Sequence, residues 1–472
     1  MSTDGDDRLA DVLSTVLDRV EPDADERAAL DAVADSLLDR AETAVTERHP
    51  DADVMLVGST ARDTWISGDR DIDVFVRFPA DIDRETLERD GLAVGHETLP
   101  DGHEEYAEHP YVTGERDGFA VDVVPCYRLD DATDIRSAVD RTPFHTTYLQ
   151  ERLDPALAAE VRLAKAFLKA IGVYGSDLRT RGFSGYLTEL LVLEYGGFRP
   201  LLEAAADWHP PIHLDPEAHR APRETASPSR DPEVDDVDLP FDDPLVAIDP
   251  TDPERNVAAV CSAENVARFQ HHARALLADP ELDHFESTDP APFTPAELET
   301  VLADRATTPV AIRFDAPDLV DDQLYPQLER SRAGLVDALN RRGFDVCRSA
   351  AWAAETAVLW VELAIAERPA IERHEGPPVH VREHAEGFFD AYADDPDVYG
   401  PFLDGDRYVV EREREYRTAP AFLGSDALFG VRLGAHVETA LEDGYDVLQG
   451  DDVTELCAEF GVELARYVRP TV

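Results

Sequence analysis

The sequence predicts an α+β protein built in several parts. At 472 residues the chain exceeds what one hydrophobic core serves, which predicts two to four domains. Short apolar strands mix with amphipathic helices at the start and again after residue 290. Between them the pattern is almost wholly helical.

Residues 7–48 carry apolar side chains at three- and four-residue spacing and predict two helices. DVMLV at 53–57 reads as a strand. GSTARDTWISGDRDIDVFVRF follows from Gly58 to Phe78 and contains a second strand at 71–78. FAVDVV at 119–124 reads as a third, closed by Pro125. These elements predict a small mixed domain over 1–150. Pro155 opens a helix to about Ile171, since proline suits a first helical turn. FSGYLTELLVLEY from Phe183 is a further, apolar helix, and SAENVARFQHHARALLAD closes a helical domain over 151–280. Residues 207–255 are rich in Pro and Asp and read as an insertion or loop, most acidic over 207–246. PVAIRF, QLYPQLERSRAGLVDALNRRG, FDVCRSAAWA and ETAVLWVELA then give strand, helix, strand, strand. That is half of a ferredoxin- or RRM-like unit, placed at 290–375. A final segment, 376–472, holds a helix in REHAEGFFDAYADD and an arginine-laced strand in RYVVEREREYR.

Charge sets the working conditions. One hundred acidic residues face 44 basic ones, a net charge of −56 spread along the whole chain. Only Lys165 and Lys169 are lysines, so 42 basic residues are arginine. The exchange resembles haloarchaeal proteins. It predicts a need for roughly molar salt, where the Debye length falls from about 10 Å at 0.1 M to about 3 Å at 1 M. Four dispersed cysteines without a CxxC pair predict a reducing cytoplasm and no zinc site. The acidic first residues read as neither a secretion signal nor a transit peptide. No apolar run approaches the ~18 residues a membrane span needs.

The chemistry concentrates in the second strand. Side chains alternate along a strand, so Asp71 and Asp73 share one face and Ile72, Val74, Val76 and Phe78 the other. The two aspartates lie roughly 6.5 Å apart. Carboxylates that close resist joint ionisation unless a cation joins them, and hard divalent ions such as Mg²⁺ prefer carboxylate oxygen. Asp122, alone in the apolar AVDVVP, is a third candidate ligand. Against this stands chance, because Asp-x-Asp also occurs at Asp23/Asp25 and Asp51/Asp53. The Gly58-Ser59 turn decides for a site. A helix beginning there offers free backbone N–H groups to phosphate, Ser59 adds a hydroxyl, and Arg62 stands one turn on. The plain alternative is Ser59 as an N-cap.

Gly-Ser, a spacer, Asp-x-Asp and a later Asp resemble the nucleotidyltransferase superfamily. GSTARDTWISGDRDIDVFV, VDVVPCYRL, SAVDRTPFHTTYL, VRLAKAFLKAIGVYG with RGFSGYLTELL, and DPTDPERNVAA together resemble the archaeal, class I, CCA-adding tRNA nucleotidyltransferases. The resemblance implies a nucleotidyltransferase-type mixed sheet, a helical central domain, a ferredoxin-like body and a tail that binds tRNA. It implies template-free addition of C, C and A to tRNA lacking part or all of its 3′ CCA, from CTP and ATP, with two Mg²⁺ ions. It places the metals on Asp71, Asp73 and Asp122. It places nucleotide contacts on Ser59, Arg62, His145, Lys165 and Tyr174, with Thr142 and Arg255 as further contacts. Many members carry Glu where this chain has Asp71, one methylene longer.

Each residue also has a plainer role available. His145 could cap or pack, Tyr174 could fill a loop between Gly172 and Gly175, and Arg412, Arg414 and Arg417 could pair with acids on a strand face. On the predicted helix from Pro155 to Ile171, Arg162, Lys165 and Lys169 fall opposite Ala164, Phe167, Leu168 and Ile171, predicting a polar side. Rival functions are a poly(A) polymerase, an aminoglycoside-modifying enzyme, or an idle RNA-binding protein on this scaffold. A homodimer is open on sequence alone.

Overall fold

The computed structural model describes residues 3–106, 108–219, 241–287 and 289–472. It divides into two compact units, 1–288 and 289–472. The first opens with α1 (Thr3–Val20) and α2 (Ala24–Thr46). Asp23 caps α2 in a capping box with Glu26, so two otherwise unpaired groups satisfy each other.

A five-stranded sheet follows: β1 (Asp53–Val57), β2 (Asp71–Pro79), β3 (His103–Tyr106), β4 (Pro110–Arg116) and β5 (Phe119–Arg128), in order β1-β2-β5-β4-β3. The pair β2/β5 is parallel and the rest antiparallel. The four-residue helix α3 (Gly58–Ala61) links β1 to β2, and α4 (Arg84–Thr98) follows β2. The predicted apolar face of β2 holds: Ile72, Val74, Val76 and Phe78 are buried against α2 and α4 residues such as Leu37, Leu87 and Val94.

The structure corrects one reading here and adds two elements that the sequence does not signal. β5 runs through Pro125 instead of stopping before it. β4 pairs with β5 only as far as Val123, so Pro125 has a neighbour strand on one side and removes no bond from the open edge. The β3–β4 hairpin was not read, because HEEY is exposed at every position and carries no alternation. α4 was not read either, since Gly91 and Gly95 break its helical signal.

A second core gathers around α6 (Pro155–Ala170) and α7 (Gly185–Tyr195), preceded by α5 (Thr142–Gln150) and followed by α8 (Phe198–Ala206), β6 (Ile212–Leu214), β7 (Leu245–Asp249), β8 (Asp252–Asn256) and α9 (Ala263–Ala278). Leu9 and Val16 of α1 pack into this helical core with α6 residues, not onto the sheet. Asp154 caps α6 and Pro155 stands at its first position, as expected. The supposed loop at 207–255 contains structure: β7 is buried at all five positions and pairs with β6 and β8. Its apolar run, LVAI, is too short to stand out beside so much Pro and Asp. Residues 220–240 of the acidic insertion lie outside the described residues.

In the second unit α10 (Pro295–Arg305) precedes β9 (Thr308–Asp315), α11 (Asp321–Arg341), β10 (Val346–Ala353) and β11 (Thr356–Leu363), the strand-helix-strand-strand order read from sequence. β12 (Ile371–Pro378), α12 (Arg382–Tyr392), β13 (Val398–Asp404) and β14 (Arg407–Glu413) form a small sheet carrying one helix. The chain then returns as α13 (Ala419–Leu423), α14 (Ala435–Asp443), β15 (Asp446–Gln449) and α15 (Cys457–Val468). β15 pairs with β9 and completes the sheet β10-β11-β9-β15. On β14 and just beyond, Arg412 meets Glu372 at 3.0 Å, Arg414 meets the Pro369 carbonyl at 3.1 Å, and Arg417 pairs with Glu367.

Candidate active site

Parallel pairing of β2 with β5 sets Asp73 opposite Asp122. Asp71 lies two residues earlier on the same face and is exposed. A groove of about 770 Å³ runs past Asp71, lined also by Arg70, His103 and Thr113. None of the three aspartates makes an ion pair with a described residue. Burial, with Asp122 and Asp71 nearby, pushes the Asp73 carboxyl up to about 6, against the pull of Arg62. Burial also raises that of Asp122, against a hydrogen bond from Thr113. Three carboxylates on two adjacent strands, with mutual repulsion adding to burial at Asp73 and Asp122, form an oxygen-only donor set suited to a hard divalent cation. Among the described residues they are not drawn together into a closed metal cage.

Gly58 joins this set to α3. Its φ is +75°, and a Cβ there would collide with Asp73 Oδ2, so only glycine serves. Ser59 sits one residue on, within α3, whose first turn has no side-chain cap. Gln150 of α5 holds this helix through the Ala61 carbonyl at 2.8 Å.

Arg62 and Lys165 meet at a residue the sequence reading missed. Glu189, on α7, is fully buried. Arg62 Nε donates to its Oε2 at 2.9 Å, and Lys165 Nζ lies 3.4 Å from its Oε1. Thr64 Oγ1 donates to the same carboxylate. Burial opposes ionisation of Glu189, but Arg62 and Lys165 outweigh it and its pKa falls below the ordinary value. Lys165 also donates to the Thr64 carbonyl at 3.0 Å, and Arg162 donates to the carbonyls of Asp63 and Trp65. The expected polar side of α6 is therefore not a solvated face: Arg162 and Lys165 are 1% and 2% exposed. They brace the turn that follows α3. Lys169 alone remains outside, 2.8 Å from Asp69.

A second buried carboxylate gathers two of the other candidates. His145 Nε2 meets Asp249 Oδ2 at 2.7 Å, and Arg255 Nη1 donates to the same oxygen at 2.8 Å. The His145 ring stacks on Tyr186 with centroids 3.8 Å apart and planes 9° from parallel. Arg62 Nη1 donates to Thr146, the next residue of α5, at 3.2 Å, which ties the two clusters together. Arg255 also lines a groove of about 850 Å³ with Arg141 and Asn256. Thr142 opens α5 one turn before His145. Tyr174 brings its hydroxyl beside Gly185, the first residue of α7, where a Cβ would lie 3.1 Å away. Neither Asp249, at the end of an apolar run, nor Tyr186 carried a local signal. Glu189 offered only one, an acid amid the apolar LTELLVL.

Comparison with known proteins agrees with this arrangement. Residues 38–145 match the nucleotidyltransferase domain family, 159–286 the second domain of tRNA nucleotidyltransferase, and 305–450 the C-terminal domain of CCA-adding enzyme. The CCA-adding enzyme of Haloarcula marismortui is 59% identical over 479 residues, covering 98% of this chain and 99% of the relative. Those of Halorubrum lacusprofundi and Halobacterium salinarum are 58% and 59% identical, again over 98% of this chain and 99% of each relative. No described helix is long and apolar enough to cross a membrane. The sheet that opposes Asp73 to Asp122 and this likeness over nearly the whole length lead to one conclusion: the chain belongs to the CCA-adding enzymes and is a tRNA nucleotidyltransferase.

Proposed function

We propose that the chain adds C, C and A in turn to tRNA whose 3′ CCA is partly or wholly missing, from CTP and ATP, with release of pyrophosphate. The observation that carries this is Asp73 facing Asp122 across parallel strands, beside the Gly58–Ala61 turn, with neither in an ion pair among the described residues and only the pull of Arg62 on Asp73. Asp71, Asp73 and Asp122 are the groups that would hold Mg²⁺. Bound there, two such ions supply Lewis acid at the attacking 3′ hydroxyl and at the leaving pyrophosphate. Ser59 and the N–H groups of α3 receive phosphate oxygens. Arg62, His145, Lys165, Tyr174, Thr142 and Arg255 form the rest of the nucleotide site, some by contact and some by holding their neighbours. Residues 1–150 serve catalysis, 151–280 the central domain and 290–375 the body; the expected tail for tRNA at 376–472 narrows to the small sheet β12–β14 with α12, because β15 and α15 return to the sheet and core of the body. tRNA and nucleotide substrates assign the work to the cytoplasm, and sizing in molar salt reads whether a homodimer performs it.

The test is incubation of the purified protein in high salt with tRNA lacking its last three nucleotides, Mg²⁺, CTP and ATP, followed by sequencing of the 3′ end. Addition of CCA and arrest after A is the expected result. Long A tails on unrelated RNA would establish a poly(A) polymerase instead.

A further inference from the structure

Asp249 is the last residue of β7, a strand whose every position is buried, and its side chain is fully out of solvent. A carboxylate in that position needs several donors. It has four. Oδ1 accepts from the Thr251 backbone N–H at 2.9 Å and the Thr251 hydroxyl at 2.8 Å. Oδ2 accepts from His145 Nε2 at 2.7 Å and Arg255 Nη1 at 2.8 Å. One oxygen closes the turn between β7 and β8, while the other joins α5 to β8. Burial opposes ionisation, but the His145 and Thr251 bonds outweigh it and hold the carboxyl well below the usual range.

The geometry constrains His145 completely. Stacking on Tyr186 sets the plane of the imidazole. The bond to Asp249 sets its rotation within that plane. An ionised carboxylate only accepts, so Nε2 carries the proton and Nδ1 is the nitrogen left for a ligand. Arg255 is held by one nitrogen of its fork, which leaves its other N–H groups for the groove it lines. The buried Tyr186 hydroxyl has no hydrogen-bond partner among the described residues.

We propose that Asp249 is the positioning residue of the nucleotide site. It orients His145 and Arg255 together, so that an incoming nucleoside triphosphate meets two pre-aimed groups from two separate elements. This rests on the assignment of His145 and Arg255 to the nucleotide site made above. Ordering these side chains before binding removes an entropic cost that the nucleotide would otherwise carry. The effect falls on nucleotide capture, because Asp249 touches neither the aspartates nor the reacting atoms.

The experiment is steady-state kinetics of Asp249→Asn in molar salt, with tRNA ending in CC and varied ATP. Asn keeps an oxygen for Thr251 but presents an NH₂ group where His145 and Arg255 need an acceptor. The nucleotide KM should rise about tenfold with kcat changed less than about threefold. His145→Ala combined with Asp249→Asn should raise KM by less than the product of the two single effects, since the aimed ring is lost only once, and should exceed His145→Ala alone only by the share that passes through Arg255. An unchanged KM, a loss confined to kcat, or additive effects would overturn the proposal. Should Asp249→Asn not fold, nitrogen NMR of the unsubstituted protein decides, with His145→Gln assigning the signal: an Nε2-protonated His145 is expected, and an Nδ1-only tautomer overturns it. If the unsubstituted protein adds no nucleotide to tRNA, the functional reading itself has failed; if it does and Asp249→Asn matches it, only the role of Asp249 has.

Discussion

Glu189 and Asp73 are carboxylates drawn from water in the same unit, and the chain treats them in opposite ways. Glu189 is surrounded by Arg62, Lys165 and the Thr64 hydroxyl, and its pKa is held down. Asp73 is pushed up to about 6 by burial, then by Asp122 across the sheet and Asp71 along the strand, with Arg62 alone pulling the other way. Burying a charge is costly, and the cost is met at Glu189 by protein groups but left standing at Asp73. A compensated carboxylate holds structure. An uncompensated one, two residues from Asp71 and the groove it lines, is where the proposed cation would complete the site.

The largest expected effect removes one uncompensated acid. Asp122→Asn should lower Mg²⁺-dependent nucleotide addition by about 10³-fold or more while the fold remains, because the loss falls on transition-state charge. Near-normal addition by this variant would break the comparison at once.

Removing the compensated acid should act on the fold instead. Glu189→Gln leaves Arg62 and Lys165 buried without their carboxylate, a change worth about 3–5 kcal/mol of stability. Denaturant unfolding in molar salt measures it. A midpoint equal to that of the unsubstituted protein would show that the pair needs no shared anion.

Third comes the pH dependence of Asp73. Its folded pKa lies above the ordinary 3.8, so the folded state binds the proton more tightly than the unfolded chain. That favours folding below about pH 4 and is lost as pH rises toward 6. In metal-free protein, Asp73→Asn should therefore be the more stable form at pH 7.5, by on the order of 1–3 kcal/mol. The gap should close on acidification and shrink when Mg²⁺ is added. A gap that widens toward pH 4.5 would reverse the sign and refute the assignment.

The smallest effects separate the two lysines. Lys165→Arg puts a broad guanidinium where a compact ammonium already serves the Thr64 carbonyl and Glu189, and should raise the nucleotide KM about tenfold. Lys169→Arg keeps an exposed pair with Asp69 and should be nearly silent. Kinetics with ATP and CTP decide both.

The sequence by itself determined a good deal. Alternation along 71–78 separates the acids from Ile72, Val74, Val76 and Phe78, since period two is a property of any strand. Pro155 marks the start of α6, and the apolar spacing of α9 is legible without neighbours. The paired fate of Arg412 and Arg417 was one of two readings that charge alone left open.

Only the tertiary structure decided which charged residues are buried together. Glu189 meets Arg62 across 127 residues, and Asp249 meets His145 across 104. In sequence Arg162 and Lys165 mark the polar side of an amphipathic helix, and water is the default neighbour of such a side. Here its neighbours are the carbonyls of Asp63, Thr64 and Trp65. A local pattern records that a side chain is polar, but not whether water or another part of the chain will satisfy it. That choice is made by long-range packing, which brings donor and acceptor together only when the whole unit has closed.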